Sequence, residues 1–435
     1  MANALQGNLF KILPLRRPNG KTSTERSGTF SDNIKLPIHR WFRYSAGFSA
    51  TWVKETILNH NARIVLDPFV GSGTVCIAAD EAEVISYGIE SHPFVFRLAK
   101  GKLAWTVNID NFKQTIFEIE KEAKYMRLKE SSEIPSLLAK CYTKEALTSL
   151  FMIKEAFLKT ASDLSEDLRS LVFLAISAIL RPSSHVGTAQ WQYILPNKRK
   201  AKVLTPLEAL TVQVSMMERD MYQMQLAVRD SRATLIQDDA RTLRALPDRA
   251  VDLVITSPPY ANNYDYADAT RLEMTFWGEV DSWGDLHETV RRFLIRSSSQ
   301  HAAKDRLNLD SLLSEPVIEP IRQELSKTCR DLADIRGTKG GKKAYHTMIA
   351  AYFADIGQVF HALRRVTKRN GNVCFVIGDS APYGIYVPVE KWIGELSVAA
   401  GFSSWSFEKI RDRNVKWKNR KHTVPLHEGR LWIRG

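Results

Sequence analysis

Cysteine is scarce in this chain, and what there is lies scattered. Cys76, Cys141, Cys329 and Cys374 show no paired spacing, which excludes a disulfide framework and a cysteine-based zinc site. Cys76 and Cys374 lie in apolar surroundings and read as core thiols. The histidines lack the spacing of metal ligands, and His185 and His346 read as ordinary polar residues. Long apolar runs are missing as well. The longest, residues 171–180, is far short of the roughly 20 residues that span a bilayer. No signal-peptide core opens the chain, and no amphipathic anchor is visible. Internal repeats and low-complexity blocks are also absent. The expectation is a cytoplasmic chain with no membrane contact and no metal.

What the chain has is length, apolar residues and positive charge. At 435 residues it is long enough for two or three domains, and a hydrophobic content of 44% supports a large core. The formal charge of +13 suits a polyanionic partner, with a membrane surface as the rival.

Two motifs carry chemistry. Val251-Asp252-Leu253-Val254-Ile255-Thr256 is an apolar run of the kind that forms a buried parallel strand. It ends in Ser257-Pro258-Pro259-Tyr260. Proline has no N–H to donate and cannot continue a central strand. The pair therefore fixes a stiff turn and leaves Tyr260 at the carboxyl edge of the sheet, where open α/β sheets bind ligands. A plain strand-to-loop corner with a surface tyrosine is the alternative reading. Upstream, Ile64-Val65-Leu66-Asp67-Pro68-Phe69-Val70-Gly71-Ser72-Gly73-Thr74 runs into Val75-Cys76-Ile77-Ala78-Ala79 and reads as strand, glycine turn and helix. Gly71 and Gly73 permit positive φ and a close approach of ligand to backbone. Thr74 is placed to cap the helix. A second strand over residues 84–90 ends at Glu90, 23 residues after Asp67. A doubly wound fold places there the carboxylate that grips a ribose diol. The turn has neither the Gly-Lys-Ser/Thr of a phosphate loop nor the full dinucleotide glycine pattern, so a nucleoside without phosphates fits better than ATP or NAD.

Asp-Pro-Phe-x-Gly-Ser-Gly-Thr at residues 67–74, followed by Thr-Ser-Pro-Pro-Tyr at 256–260, resembles the amino-group DNA methyltransferases that use S-adenosyl-L-methionine. The resemblance extends over residues 36–100, 235–278 and 346–435. It implies an α/β fold, a doubly wound and mostly parallel sheet of the Rossmann-like class I methyltransferase type. It implies a cofactor site in which Asp67, Pro68, Phe69, Gly71, Ser72, Gly73 and Thr74 form the loop and Glu90 holds the ribose. Phe48 resembles the residue that packs on the methionine part, and Asp239 the acid that meets the adenine. Ser257, Pro258, Pro259 and Tyr260 resemble the catalytic loop.

The chemistry is consistent with those residue types. An exocyclic base amine is a poor nucleophile, because its lone pair is delocalised into the ring. The cofactor brings an activated methyl group, and the protein supplies positioning and electrostatics. Ser257 Oγ and the Pro258 carbonyl are suited to accept from the amine hydrogens and turn its lone pair toward the methyl group. Tyr260 is suited to stack on a target base extruded from the helix. In this family a serine at the first loop position is associated mainly with the N4 amine of cytosine. The expected activity is therefore cytosine-N4 methylation of double-stranded DNA. Adenine-N6 methylation, methylation of structured RNA and a nucleic-acid-binding subunit without turnover are the alternatives. A restriction nuclease, a phage-defence system and no partner at all remain open.

Residues 1–34 read as a polar, basic arm. Residues 35–105, 235–278 and 346–435 read as the catalytic domain, with helices over 346–366 and 389–400 and strands over 373–378, 404–410 and 430–433. Residues 106–234 read as a helical insertion, with Phe112, Ile116 and Ile119 on one stripe and Leu147, Leu150, Phe151 and Ile153 on another. Within it, Trp191 and Tyr193 precede Lys198, Arg199, Lys200 and Lys202, which read either as a solvated loop or as phosphate contacts. Residues 279–345 read as a polar insertion without clear periodicity. It carries Arg291, Arg292, Arg296 and Gln300, types that read base edges, and the basic Lys342 and Lys343. Lys416 and Lys418 complete the basic set expected to meet DNA. Tyr264 and Tyr266 either line a base pocket or pack it. The two insertions are expected to select the target.

Overall fold

Short apolar runs broken by turn-forming residues build a central sheet. A computed structural model describes residues 30–44, 47–127, 134–189, 193–262, 265–300, 307–338, 343–413 and 424–435. Among the described residues the strands are β1 (Ile64–Asp67), β2 (Ile85–Ile89), β3 (Val186–Thr188), β4 (Ile194–Arg199), β5 (Ala233–Ile236), β6 (Val251–Thr256), β7 (Thr367–Gly378), β8 (Ser404–Arg413) and β9 (Leu426–Arg434). Seven of them form one sheet in the order β5-β2-β1-β6-β7-β9-β8. The first five in that order pair in parallel, and β9 runs antiparallel to both of its neighbours. The fold is thus α/β with a mostly parallel, doubly wound sheet, as expected. Val65, Leu66, Val254 and Ile255 are fully buried, because helices cover both faces of β1 and β6. The strand order reverses between β1 and β6. Their carboxyl ends therefore diverge and open a crevice.

Helices α1 (Ala50–Asn59), α2 (Thr74–Glu81) and α3 (Pro93–Leu103) flank the cofactor half. The next five, α4 (Ile109–Tyr125), α5 (Ser136–Cys141), α6 (Lys144–Thr160), α7 (Glu166–Ser183) and α8 (Pro206–Ala227), fill most of the chain between β2 and β5. Phe112, Ile116, Ile119, Leu147, Leu150 and Ile153 are buried there, in one cluster with Phe94 and Leu98 of α3. The helical periodicity did not announce the β3–β4 hairpin, which forms a separate two-stranded sheet.

The second insertion corrects the reading from periodicity. It contains the helix Arg322–Thr338, with Leu325, Cys329 and Leu332 buried. Three apolar residues on one stripe of an otherwise charged helix make a weak sequence signal. They become a core only against Tyr345–Val366, a helix buried on nearly every side, and Val389–Ala399 beyond it.

Residues 1–29 of the expected arm lie outside the described residues. Its end is not an arm. Asn33 is fully buried, donating to the Phe48 carbonyl at 2.9 Å and accepting from Ala50 N–H at 3.0 Å. Farther on, Asp220 of α8 accepts from Ile38 N–H at 3.1 Å, Arg40 Nε at 3.0 Å and Trp41 Nε1 at 3.0 Å. One buried carboxylate thereby pins the segment that leads into the site. Asp220→Ala leaves Arg40 and two buried N–H donors without their acceptor. It is expected to lower stability by about 3–5 kcal/mol, measured by denaturant unfolding.

Candidate active site at the carboxyl edge of the sheet

β1 stops at Asp67 because Pro68 cannot extend the ladder. Asp67 Oδ1 accepts from Phe69 N–H at 3.0 Å and from the Thr256 hydroxyl at 2.6 Å. Thr256 ends β6 and precedes Ser257, so this bond joins the glycine loop to the Ser-Pro-Pro-Tyr turn. Glu90 closes the other side. Its Oε2 accepts from Gly71 N–H at 3.0 Å, and its Oε1 from His92 N–H at 2.8 Å. Gly71 and Gly73 have φ of +53° and +92°, the left-handed region that favours glycine. Gly73 in this conformation is the N-cap of α2, without a side-chain hydrogen bond. The expected cap at Thr74 is therefore corrected. The left-handed glycine closes the turn one residue earlier, and Thr74 is already helical.

Burial governs the charges. It raises the Asp67 carboxyl to about 7, against the opposing pull of Thr256 and Phe69 N–H. It raises Glu90 to about 7 as well, against the donors from His92 and Gly71 and with the Asp67 charge adding to the rise. Phe48 lies with Val53, Val65, Val75 and Ile255 in an apolar cluster under the loop. Pro68 and Ser72 are buried, and Phe69 is half-buried.

Pro258 is buried, and Ser257, Pro259 and Tyr260 are half-buried at the crevice. Burial pushes the Tyr260 phenol far above its ordinary range, and the Glu428 charge adds to this. The Arg413 guanidinium lies 5.2 Å from the Tyr260 ring centroid, and Nη1 donates to the Asp379 carbonyl at 2.7 Å.

Comparison with known proteins places this edge in context. The N6_N4_Mtase family model, described as DNA methylase, matches residues 12–101, which include the glycine loop and Glu90. The Type II methyltransferase M.AvaI of Nostoc sp. is 24% identical over 412 residues, 86% of this chain and 81% of that one. M.BsoBI of Geobacillus stearothermophilus, also a Type II methyltransferase, is 24% identical over 438 residues, 90% and 84% of the two chains. The chain is thus similar to amino-group DNA methyltransferases. The Type II methyltransferase M.MvaI of Kocuria varians is similar at 21% identity over 395 residues, covering 85% of this chain and 83% of that one. No solved structure matches. Among the described residues no helix is long and apolar enough to cross a membrane.

The other expected site residues fall into different settings. Asp239 is engaged by Arg241, whose Nε and Nη2 donate to Oδ2 at 2.9 and 2.7 Å. Its neighbour Asp238 takes Asp239 N–H on Oδ1 at 2.7 Å, and its Oδ2 is buried without a hydrogen-bond partner. The free acceptor at this strand end is thus on Asp238. Lys198, Arg199 and Lys202 are exposed, whereas Lys200 turns inward and donates to the Arg181 carbonyl at 2.5 Å. Lys343 is exposed beside the Tyr345 ring. Trp191, Tyr264, Lys342, Lys416 and Lys418 lie outside the described residues. Arg291 and Arg296 do not present themselves for base reading. Arg291 is buried against Asp265 at 2.5 Å, and Arg296 pairs with Asp355 at 2.6 Å. Their length lets them reach internal carboxylates that residue type alone does not reveal.

Tyr44 and Lys102 escaped the sequence reading, and so did the place of Arg413, read only as part of a basic Arg411–His422 cluster for DNA, against Tyr260. The Tyr44 ring would lie 3.3 Å from a Cβ at Gly71. Lys102 is fully buried and donates to the His39 and Phe42 carbonyls at 2.9 and 3.2 Å and to Ser72 Oγ at 3.4 Å. None sits in a motif. The only signal was Lys102 as a charge within an apolar helix face.

The raised Glu90 carboxyl has a measurable consequence. The folded state disfavours its charged form, so the linked stability is present at low pH and is lost as pH rises from about 4.5 through about 7. The thermal stability of wild type relative to Glu90→Gln is expected to fall across that window and to be flat outside it. A constant difference across the window would show that Glu90 is not raised.

Proposed function

We propose that this chain transfers a methyl group from S-adenosyl-L-methionine to the exocyclic N4 amine of cytosine in double-stranded DNA, as the modification component of a restriction–modification system. The observation that carries this reading is the Thr256–Asp67 hydrogen bond at 2.6 Å, which holds the Ser-Pro-Pro-Tyr turn and the glycine loop on one edge. The relatives named as Type II methyltransferases support the restriction–modification setting.

The residues present fit the nucleoside. Gly73 holds the turn at a φ of +92°, and a Cβ there would already touch Ala99 and Ile77 at 3.8 Å, so the loop backbone stays bare where a ligand approaches. Glu90 and the Gly71 turn would hold the ribose, Asp238 or Asp239 the adenine amine, and the cluster around Phe48 the methionine side. When bound, the nucleoside supplies a methyl group on sulfonium sulfur, which leaves as a neutral thioether as the nitrogen–carbon bond forms. The protein orients the acceptor. Ser257 Oγ and the Pro258 carbonyl accept from the amine hydrogens, and these contacts strengthen as the nitrogen gains positive charge. Tyr260, steadied by Arg413, stacks on the extruded base. Ser257 in place of an acid or amide at the first loop position favours cytosine over adenine. Lys198, Arg199, Lys202 and Lys343 supply exposed positive charge for phosphates.

Expression in a methylation-free host, followed by base-resolved mapping of its genome, tests the reading. N4-methylcytosine at one sequence is expected. N6-methyladenine would reassign the base, and an unmodified genome would overturn the activity. In the purified protein, Ser257→Ala is expected to lower kcat by about 100-fold or more with cofactor affinity nearly unchanged. Gly73→Val is expected to abolish cofactor binding, because a β-branched residue does not adopt the left-handed conformation that the turn requires. Neutralising Lys198 or Arg199 is expected to flatten the slope of log K for duplex DNA against log salt by about 0.9. An unchanged slope would return the run to a solvated surface.

A further inference from the structure

A pocket of about 270 Å³ lies beside the crevice and apart from it. None of Asp67, Gly71, Glu90, Ser257 and Tyr260 lines it. Its walls come from the hairpin side of the first insertion, from the segment leaving the catalytic turn and from the second insertion. Asn262 lines it only two residues after Tyr260, and Asn262 N–H donates to the Ser297 carbonyl at 2.8 Å. The pocket is therefore coupled to the catalytic turn by the backbone.

Its aromatic walls are Tyr193, Trp283 and Tyr345, and each is braced. The Tyr193 hydroxyl accepts from Asp265 N–H at 2.7 Å. The Arg291 guanidinium stands 4.3 Å from the Trp283 ring centroid, and Asp265 fixes it from the other end. Tyr345 packs edge-on to Tyr383 at 4.7 Å. Trp283 nevertheless remains 39% exposed. Between these rings lie neutral hydrogen-bonding groups, Ser298 and Gln300 among them. Ser298 is only 7% exposed, and its Oγ has no hydrogen-bond partner.

The lining selects a ligand class. A phosphate is disfavoured, because the acidic Asp265 and Asp268 line the same space. Lys343 is the cation among the lining residues, and it is exposed. An aliphatic group would leave the buried Ser298 Oγ without a partner. A planar, neutral heterocycle with donors and acceptors on its edge satisfies the rings and the amide together. Ordinary small-ligand sites begin at about 300 Å³, which is close to this volume.

We propose that this pocket holds a nucleobase of the DNA other than the methylated one, drawn out of its stack, and so determines one position of the target sequence. The inference rests on the DNA methylation reading above. Gln300 and Ser298 read the base edge, Trp283 and Tyr345 clasp its faces, and Lys343 lies near the adjoining phosphate. A base held here is linked through Asn262 to the turn that holds the target.

The test uses the full-length protein and duplexes of its mapped sequence, with 2-aminopurine placed at one position at a time. Wild type is expected to brighten two positions, the methylated one and a second. Trp283→Ala and Gln300→Ala, shown to be folded and to bind cofactor as wild type does, are expected to lose the second signal and keep the first. Their affinity for the cognate duplex is expected to fall about tenfold, with methylation relaxed at that second position. Brightening of the methylated position alone in wild type would overturn the proposal. So would variants that keep both signals and the wild-type sequence preference. Failure of the wild-type protein to methylate any DNA would instead overturn the underlying activity, and this site with it.

Discussion

The hydrogen bond from the Thr256 hydroxyl to Asp67 Oδ1 joins two strand ends that lie 189 residues apart in the chain. β1 and β6 are neighbours in the sheet, and their order reversal leaves a gap at the carboxyl edge. Beyond the pairing of the two strands, this bond ties the glycine loop and the Ser-Pro-Pro-Tyr turn directly. With it, each fixes the other. Methyl transfer depends on an approach defined to a fraction of an ångström, so the relation between the two loops matters more than either alone.

The surrounding structure protects that relation at an electrostatic cost. Asp67 and Glu90 are both held in low dielectric, and burial raises both. Each is compensated by one donor from its own loop and one from a neighbouring segment, so the carboxylates tie the loops together before they meet any ligand. Lys102 and Asp220 do the same one layer out. They clamp residues 38–42 through backbone carbonyls and N–H groups. These buried charges favour one arrangement of loops over others, because any other arrangement strands a charge without partners.

The insertions relate to this frame in different ways. The first shares its apolar core with α3, so its helices sit rigidly on the cofactor half. The second packs the helix Arg322–Thr338 on the far half, against Tyr345–Val366. Where the two meet beside the catalytic turn, side chains from both line a common pocket.

The sheet, its flanking helices and the two loops were legible in the amino-acid sequence, because local rules dictate them. A buried strand must be apolar, a proline pair must end it, and a left-handed turn calls for glycine. Hence β1, β2, β6, Gly71, Gly73 and Ser257-Pro258-Pro259-Tyr260 could be read directly. The helix Arg322–Thr338 could not, because its narrow apolar stripe acquires meaning only against a partner helix. The fate of the arginines was equally hidden. Arg291 and Arg296 looked like base readers by type, yet Asp265 and Asp355 take them inward. The choice of Asp238 over Asp239 as the free acceptor, the bracing of Tyr260 by Arg413 and the clasp of Tyr193, Trp283 and Tyr345 likewise arise between distant segments. Local sequence determines which backbone conformations are accessible and which faces must be buried. Which long side chains find each other depends on distances that exist only once the chain has closed, and those were decided by the tertiary structure.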